Sequence, residues 1–189
     1  MTIGVYPGTF NPPTVAHLAI AEAARARAGL DRLDLAVSER PLGKGALAVP
    51  TLADRLTVVE AVAATRPWLG VRRTSHRLIA DIASGYDVVV LGADKWAQVR
   101  DPAWYGGSAA RRDEALARLP RVLVVPRPGH PLGTDDLAGA TLLSVAEAHG
   151  AVSSSLVRAG RWAWMLPEAA AFDRDTGAWS DPTRYRTRR

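Results

Sequence analysis

An α/β fold, a parallel β-sheet with helices on both faces, is what this sequence predicts, and three observations predict it. Short, continuously apolar runs recur along the chain, as strands buried on both faces require. Segments with apolar residues at helical spacing separate them, and such alternation implies right-handed crossovers between parallel neighbours. The chain has 189 residues, 48% of them hydrophobic, which suits one well-cored domain.

The strand candidates in order are Ile3–Tyr6, Leu33–Val37, Leu69–Arg72, Tyr86–Leu91, Val122–Val125 and Ala140–Ser144. Between them, Val15–Ala28 carries Leu18, Ile20 and Ala21 on one stripe, and Leu52–Thr65 carries Leu56, Val59 and Val62. Ser75–Ala83 and Ala109–Arg118 are shorter helical segments. Two loops are long: Glu39–Thr51, rich in Gly and Pro, and Arg100–Ser108. Loops of that length in a compact domain commonly carry function. From about residue 151 the pattern is helical to about Phe172, giving a single domain over 1–172 with a small helical C-terminal extension. Residues 173–189, ending in Arg184-Tyr185-Arg186-Thr187-Arg188-Arg189, are expected to be a basic, flexible tail.

Cysteine is absent, which excludes disulfides, thiolate catalysis and cysteine metal sites. No run reaches the ~18 apolar residues of a membrane span, and the chain opens on a strand pattern rather than a signal peptide. A cytoplasmic setting is expected. The net charge of +5 suits an anionic ligand, a nucleotide or a nucleic acid. Arginine scatter and alanine richness also read as compositional bias.

In parallel sheets ligands bind beyond the carboxyl ends of the strands, so residues just after strands matter most. The first such segment is Gly8-Thr9-Phe10-Asn11-Pro12-Pro13-Thr14-Val15-Ala16-His17-Leu18. Gly8 lets backbone approach a ligand, and the following helix N-terminus offers free N–H groups to phosphate. Thr14 and His17, three residues apart, share the first turn. Taken alone, His17 would be an ordinary half-buried helix histidine. The second segment is Val152-Ser153-Ser154-Ser155-Leu156-Val157-Arg158, where serines open a helix and Arg158 can neutralise phosphate one turn on. The third is Gly92-Ala93-Asp94 after an apolar strand, where Asp94 could equally be a helix cap.

These segments resemble the motifs of the nucleotidyltransferase superfamily. The first is similar to the [HT]-x-G-H signature, with Ala16 where Gly is usual and Asn11 where Asp is common; the second is similar to I-S-S-[ST]-x-x-[RK]. Gly92-Ala93-Asp94 and Arg127-Pro128-Gly129 look like turns of the nicotinate- and nicotinamide-nucleotide adenylyltransferases. Tyr6-Pro7-Gly8-Thr9-Phe10 and the serine segment look like pantetheine-phosphate adenylyltransferases. The R-G-L-R segment of the latter is replaced by Leu91-Gly92-Ala93-Asp94, and the S-Y-T-x-D-T segment of the former is missing before Tyr86.

The resemblance implies a Rossmann-like fold and transfer of a nucleotidyl group from ATP, or alternatively CTP, to a small phosphorylated acceptor. Nicotinate or nicotinamide mononucleotide is the expected acceptor, and pyrophosphate the leaving group. It implies catalytic roles for Thr14, His17 and Arg158. Nucleotide contacts would come from Gly8, Thr9, Phe10, Gly92, Asp94, Ser153, Ser154 and Ser155. Lys44 and Trp104 are candidate acceptor contacts, and Mg²⁺ is expected on the triphosphate oxygens with no protein ligand. A homo-oligomer is compatible with the sequence. The competing reading is a non-catalytic nucleotide- or RNA-binding protein, favoured only by the basic tail.

Overall fold

The structure, a computed structural model, describes residues 1–39 and 49–187. Six strands form one sheet: β1 (Ile3–Gly8), β2 (Arg32–Ser38), β3 (Leu69–Thr74), β4 (Val88–Gly92), β5 (Arg121–Val125) and β6 (Ala140–Leu142). Their order is β3-β2-β1-β4-β5-β6, and every pairing is parallel. The chain builds outward from β1 to β3, then returns past β1 and builds outward the other way. The reversal between β1 and β4 leaves a crevice above their carboxyl ends, the position where such sheets bind ligands.

Eight helices connect and flank the strands among the described residues. They are α1 (Val15–Ala28), α2 (Leu52–Ala64), α3 (Ile79–Ile82), α4 (Ala93–Arg100), α5 (Ala109–Ala117), α6 (Ser154–Arg158), α7 (Pro167–Thr176) and α8 (Pro182–Thr187). The period of two along the strands divides the core. Leu33, Leu35, Val37, Val88 and Val90 pack against Ile20, Ala21 and Ala24 of α1 and Val59 and Val62 of α2. Val5, Ala36, Val89 and Leu91 face the other way, onto Ile79 and Ile82 of α3 and Trp96 and Val99 of α4. Helices therefore cover both faces, as expected.

Three local expectations change. The helix expected over Ser75–Ala83 shrinks to Ile79–Ile82, because the Thr74 hydroxyl accepts the His76 amide and holds the preceding residues in a turn. The Arg100–Ser108 loop contains a 3-10 turn at Pro102–Tyr105, capped by Asp101. The C-terminal segment is helical as far as Thr187 and packed through Tyr185. Trp179 and Tyr185 are buried with Val58, Val157 and Met165. The Tyr185 hydroxyl accepts the Thr51 amide at 2.9 Å and donates to Asp54. The basic composition hid two aromatic anchors. No helix among the described residues is long and apolar enough to cross a membrane.

Candidate active site

A cavity of about 410 Å³ opens over the carboxyl ends of β1, β2, β4 and β5, a volume within the small-molecule range. Its wall includes Gly8 and Thr9 after β1, Ser38 at the end of β2, Gly92 and Asp94 after β4, and all three serines of α6 and its cap. Three cations, Arg77, Lys95 and Arg127, line it together with His17 and His130. Asp94 is the sole carboxylate among the described lining residues. A concave, largely cationic wall favours a polyanion.

The turn into α1 sets the position of His17. Thr14 is the N-cap, with extended backbone (φ −123°, ψ 164°). Its amide donates to Nδ1 of His17 at 3.0 Å, and its hydroxyl lies 2.8 Å from the same atom. Histidine thus takes the place that Glu or Gln occupies in a capping box. An Nδ1 that accepts from a backbone N–H carries no proton in the neutral ring, so the proton sits on Nε2. The ring is fixed from below by Phe10, 5.1 Å between centroids, and it borders the cavity. Thr14 itself is fully buried and does not line the cavity. The structure places it behind His17, engaged with the ring.

Phe10 is also fully buried, and its backbone is left-handed (φ 45°), a conformation rare for a bulky residue. A Cβ at residue 8 would lie 2.8 Å from the Phe10 ring. Glycine is needed at position 8 because Phe10 fills that space. Residue 92 behaves similarly. Its φ of −74° is ordinary, yet a Cβ would stand 2.5 Å from Asp94 Oδ1 and 3.2 Å from Arg127 Nε. The missing side chain leaves room at the strand end for both the Asp94 carboxylate and the Arg127 guanidinium. Burial pushes the Tyr6 phenol above its usual pKa; Arg127 opposes the shift and Asp94 adds to it.

The serine segment is locked to the first motif across the whole chain. Ser153 caps α6 by accepting the Leu156 amide. Ser154 Oγ donates to the Pro12 carbonyl at 2.7 Å. Arg158 donates to the Asn11 carbonyl and to Ser155 Oγ at 3.3 Å, so its guanidinium braces the loop and is not part of the cavity wall. Asn11 is buried, and its Oδ1 accepts the Trp179 indole N–H at 2.5 Å. Trp104 is not brought to this cavity. It lies beside a separate depression with Leu78, Tyr105 and Arg111. Lys44 falls outside the described residues. Arg77, Lys95 and His130 were not singled out by motif; their places just after strand ends were the available signal.

The cationic cavity lies at the switch point of a parallel sheet, where the loop before α1 is interlocked with the serine-capped α6. The family described as Cytidylyltransferase-like matches residues 5–160, and the chain belongs to that family. A protein of Gloeobacter violaceus described as a probable nicotinate-nucleotide adenylyltransferase is 32% identical, over 88% of this chain and 89% of its own. One of Salinibacter ruber with the same description is 30% identical over 97% of this chain and 100% of its own. A phosphopantetheine adenylyltransferase of Chloroflexus aurantiacus is 38% identical over 42% of this chain and 45% of its own. Among solved structures, the nicotinic acid mononucleotide adenylyltransferase of Plasmodium falciparum superposes with a TM-score of 0.68. It covers 95% of this chain and 97% of its own at 11% identity, a likeness of fold.

Proposed function

We propose that this protein transfers AMP from ATP to nicotinate mononucleotide and releases pyrophosphate. The observation that carries the reading is the interlock of the two end motifs, Ser154 to Pro12 and Arg158 to Asn11, around a cavity lined by His17 and three cations. The full-length likeness to nicotinate-nucleotide adenylyltransferases supports the acceptor.

In this reading an acceptor phosphate oxygen attacks the α-phosphorus in line, and the bond from that phosphorus to the bridging oxygen breaks as pyrophosphate departs. No covalent enzyme intermediate is needed; positioning and charge stabilisation supply the rate. His17 donates from Nε2 to a phosphate oxygen as charge builds. Arg127, Lys95 and the backbone at Gly8 and Thr9 hold the triphosphate with the serines of α6. Asp94, exposed at the cavity edge, accepts from the ribose hydroxyls. Thr14 and Arg158 act one step back, on the ring and on the loop.

Magnesium bound through the triphosphate oxygens would neutralise phosphate charge. Among the described residues no group of three or more His, Asp or Glu side chains could hold a metal, and a cavity with one carboxylate suits a cation that arrives on its nucleotide. The decisive experiment measures pyrophosphate release from ATP and CTP against nicotinate mononucleotide, nicotinamide mononucleotide and pantetheine phosphate. Release with ATP and nicotinate mononucleotide is expected to dominate. Release only with pantetheine phosphate would transfer the protein to the other branch, and release with none would leave a binding protein.

A further inference from the structure

Arg55 is the largest side chain in the fully buried core, 2% exposed. It stands on the buried face of α2 in line with Val58, Val59 and Val62, a stripe that otherwise contains only valine. Its Nη1 donates to the Thr9 carbonyl at 3.0 Å, and its Nε has no partner. The ion pairs among the described residues do not include it. Burial alone lowers its pKa from the ordinary guanidinium value, with no charged neighbour entering. A buried charge without a counter-charge is among the more destabilising features a fold can retain. Its retention calls for a compensating partner.

The partner can be located from the one side-chain hydrogen bond that Arg55 makes among the described residues. Thr9 lines the cavity, so the guanidinium lies behind the loop that faces the ligand. The Thr9–Phe10 peptide is trans, since the cis bonds among the described residues are Asn11–Pro12 and Val49–Pro50. In a trans peptide the N–H points opposite to the carbonyl. A Thr9 carbonyl held on Arg55 therefore turns the Phe10 amide away from Arg55, and the left-handed Phe10 that follows needs such external support.

We propose that Arg55 is a positioning residue: it fixes the Thr9–Phe10 peptide for phosphate contact, and its buried charge is balanced by the phosphates of the bound nucleotide. It thereby destabilises the empty enzyme and stabilises the loaded one. The proposal rests on the nucleotide reading above.

The test compares wild-type protein with Arg55→Met, which keeps the length and removes the charge, and with Arg55→Lys, which keeps the charge and loses the fork. Unfolding midpoints are measured without ligand, with Mg-ATP and with inorganic pyrophosphate, and KM and kcat are measured for ATP. Free Arg55→Met is expected to melt above wild type, because replacing a buried charge by an apolar side chain is often stabilising. Its midpoint should rise less with Mg-ATP or pyrophosphate. Its KM for ATP should rise about tenfold or more, the loss expected for one hydrogen bond to a charged group. Arg55→Lys should fall between the two proteins in KM.

A free Arg55→Met protein that melts below wild type, or fails to fold, would make Arg55 a purely structural residue and overturn the proposal. So would an unchanged response to both ligands. The two readings fail separately. Wild-type protein stabilised by pyrophosphate but unable to transfer adenylate to any acceptor sinks the function alone. Wild-type protein that transfers adenylate, beside an Arg55→Met protein that binds ATP equally well, sinks this inference alone.

Discussion

His17 holds two jobs in one ring, and two substitutions separate them. Its Nδ1 accepts the Thr14 amide at 3.0 Å and closes the cap of α1, while the ring borders the cavity as an Nε2–H donor. His17→Ala removes both. Loss of one transition-state donor typically raises the barrier by ~2.7–4 kcal/mol, a rate loss of about 10²–10³. Loss of the cap acceptor destabilises the fold by about 1 kcal/mol, a fall in melting temperature of roughly 2–4 °C for a domain of this size. His17→Gln restores the ordinary capping-box residue at that position, so the melting temperature should return toward wild type while turnover stays low. The assay is continuous pyrophosphate release with ATP and the best acceptor, beside thermal unfolding of the same preparations. If folded His17→Ala turned over at the wild-type rate, the donor role would be refuted. If His17→Gln recovered turnover together with stability, the ring would matter only as a cap.

Three further outcomes follow from the site. Arg158→Lys should retain part of kcat/KM and Arg158→Gln little, because the guanidinium bridges the Asn11 carbonyl and Ser155 with charge and fork together; equal kcat/KM for wild type and Gln would show that this brace is not needed for turnover. Asp94→Ala should raise KM for ATP more than it lowers kcat, since a ribose contact is made before and during the reaction; a lower melting temperature at unchanged KM would mark a role confined to stabilising the first turn of α4. Trp179→Phe leaves the buried Asn11 Oδ1 without its indole donor and should destabilise the protein by ~1–3 kcal/mol, read as a lower midpoint in denaturant; an unchanged midpoint would show that the C-terminal segment does not brace the loop.

The sheet, α1 and α2 were legible in the sequence because their signals are local. A run such as Val88-Val89-Val90-Leu91 is apolar throughout whatever it pairs with, and the α1 boundaries, Val15–Ala28, follow from Thr14 at one end and Gly29 at the other. Phosphate-type motifs are legible for the same reason, since glycine, serine and a helix start must be contiguous to act. Less legible were the roles that only folded geometry shows. On α2 the periodicity pointed to Leu56, Val59 and Val62, which do pack on the core, and gave no sign that Arg55 is buried beside them. Thr14 belonged to the right motif, but only the folded turn shows its hydroxyl engaged with His17. Trp104 stood two residues farther from Asp94 than the family spacing, and it lies at a separate depression, on the 3-10 turn at Pro102.

The sequence by itself determined the α/β class, the strand and helix alternation, and the two motifs that carry the chemistry, because each is encoded by neighbours within a few residues. Tertiary structure alone decided how those motifs meet. Ser154 reaches Pro12, Arg158 reaches Asn11, and Trp179 closes on Asn11 from what looked like a loose basic tail. These contacts span more than a hundred residues, and no local pattern encodes the partner of a hydrogen bond at that separation. The sheet order, reversing between β1 and β4, brings both ends of the chain to one crevice.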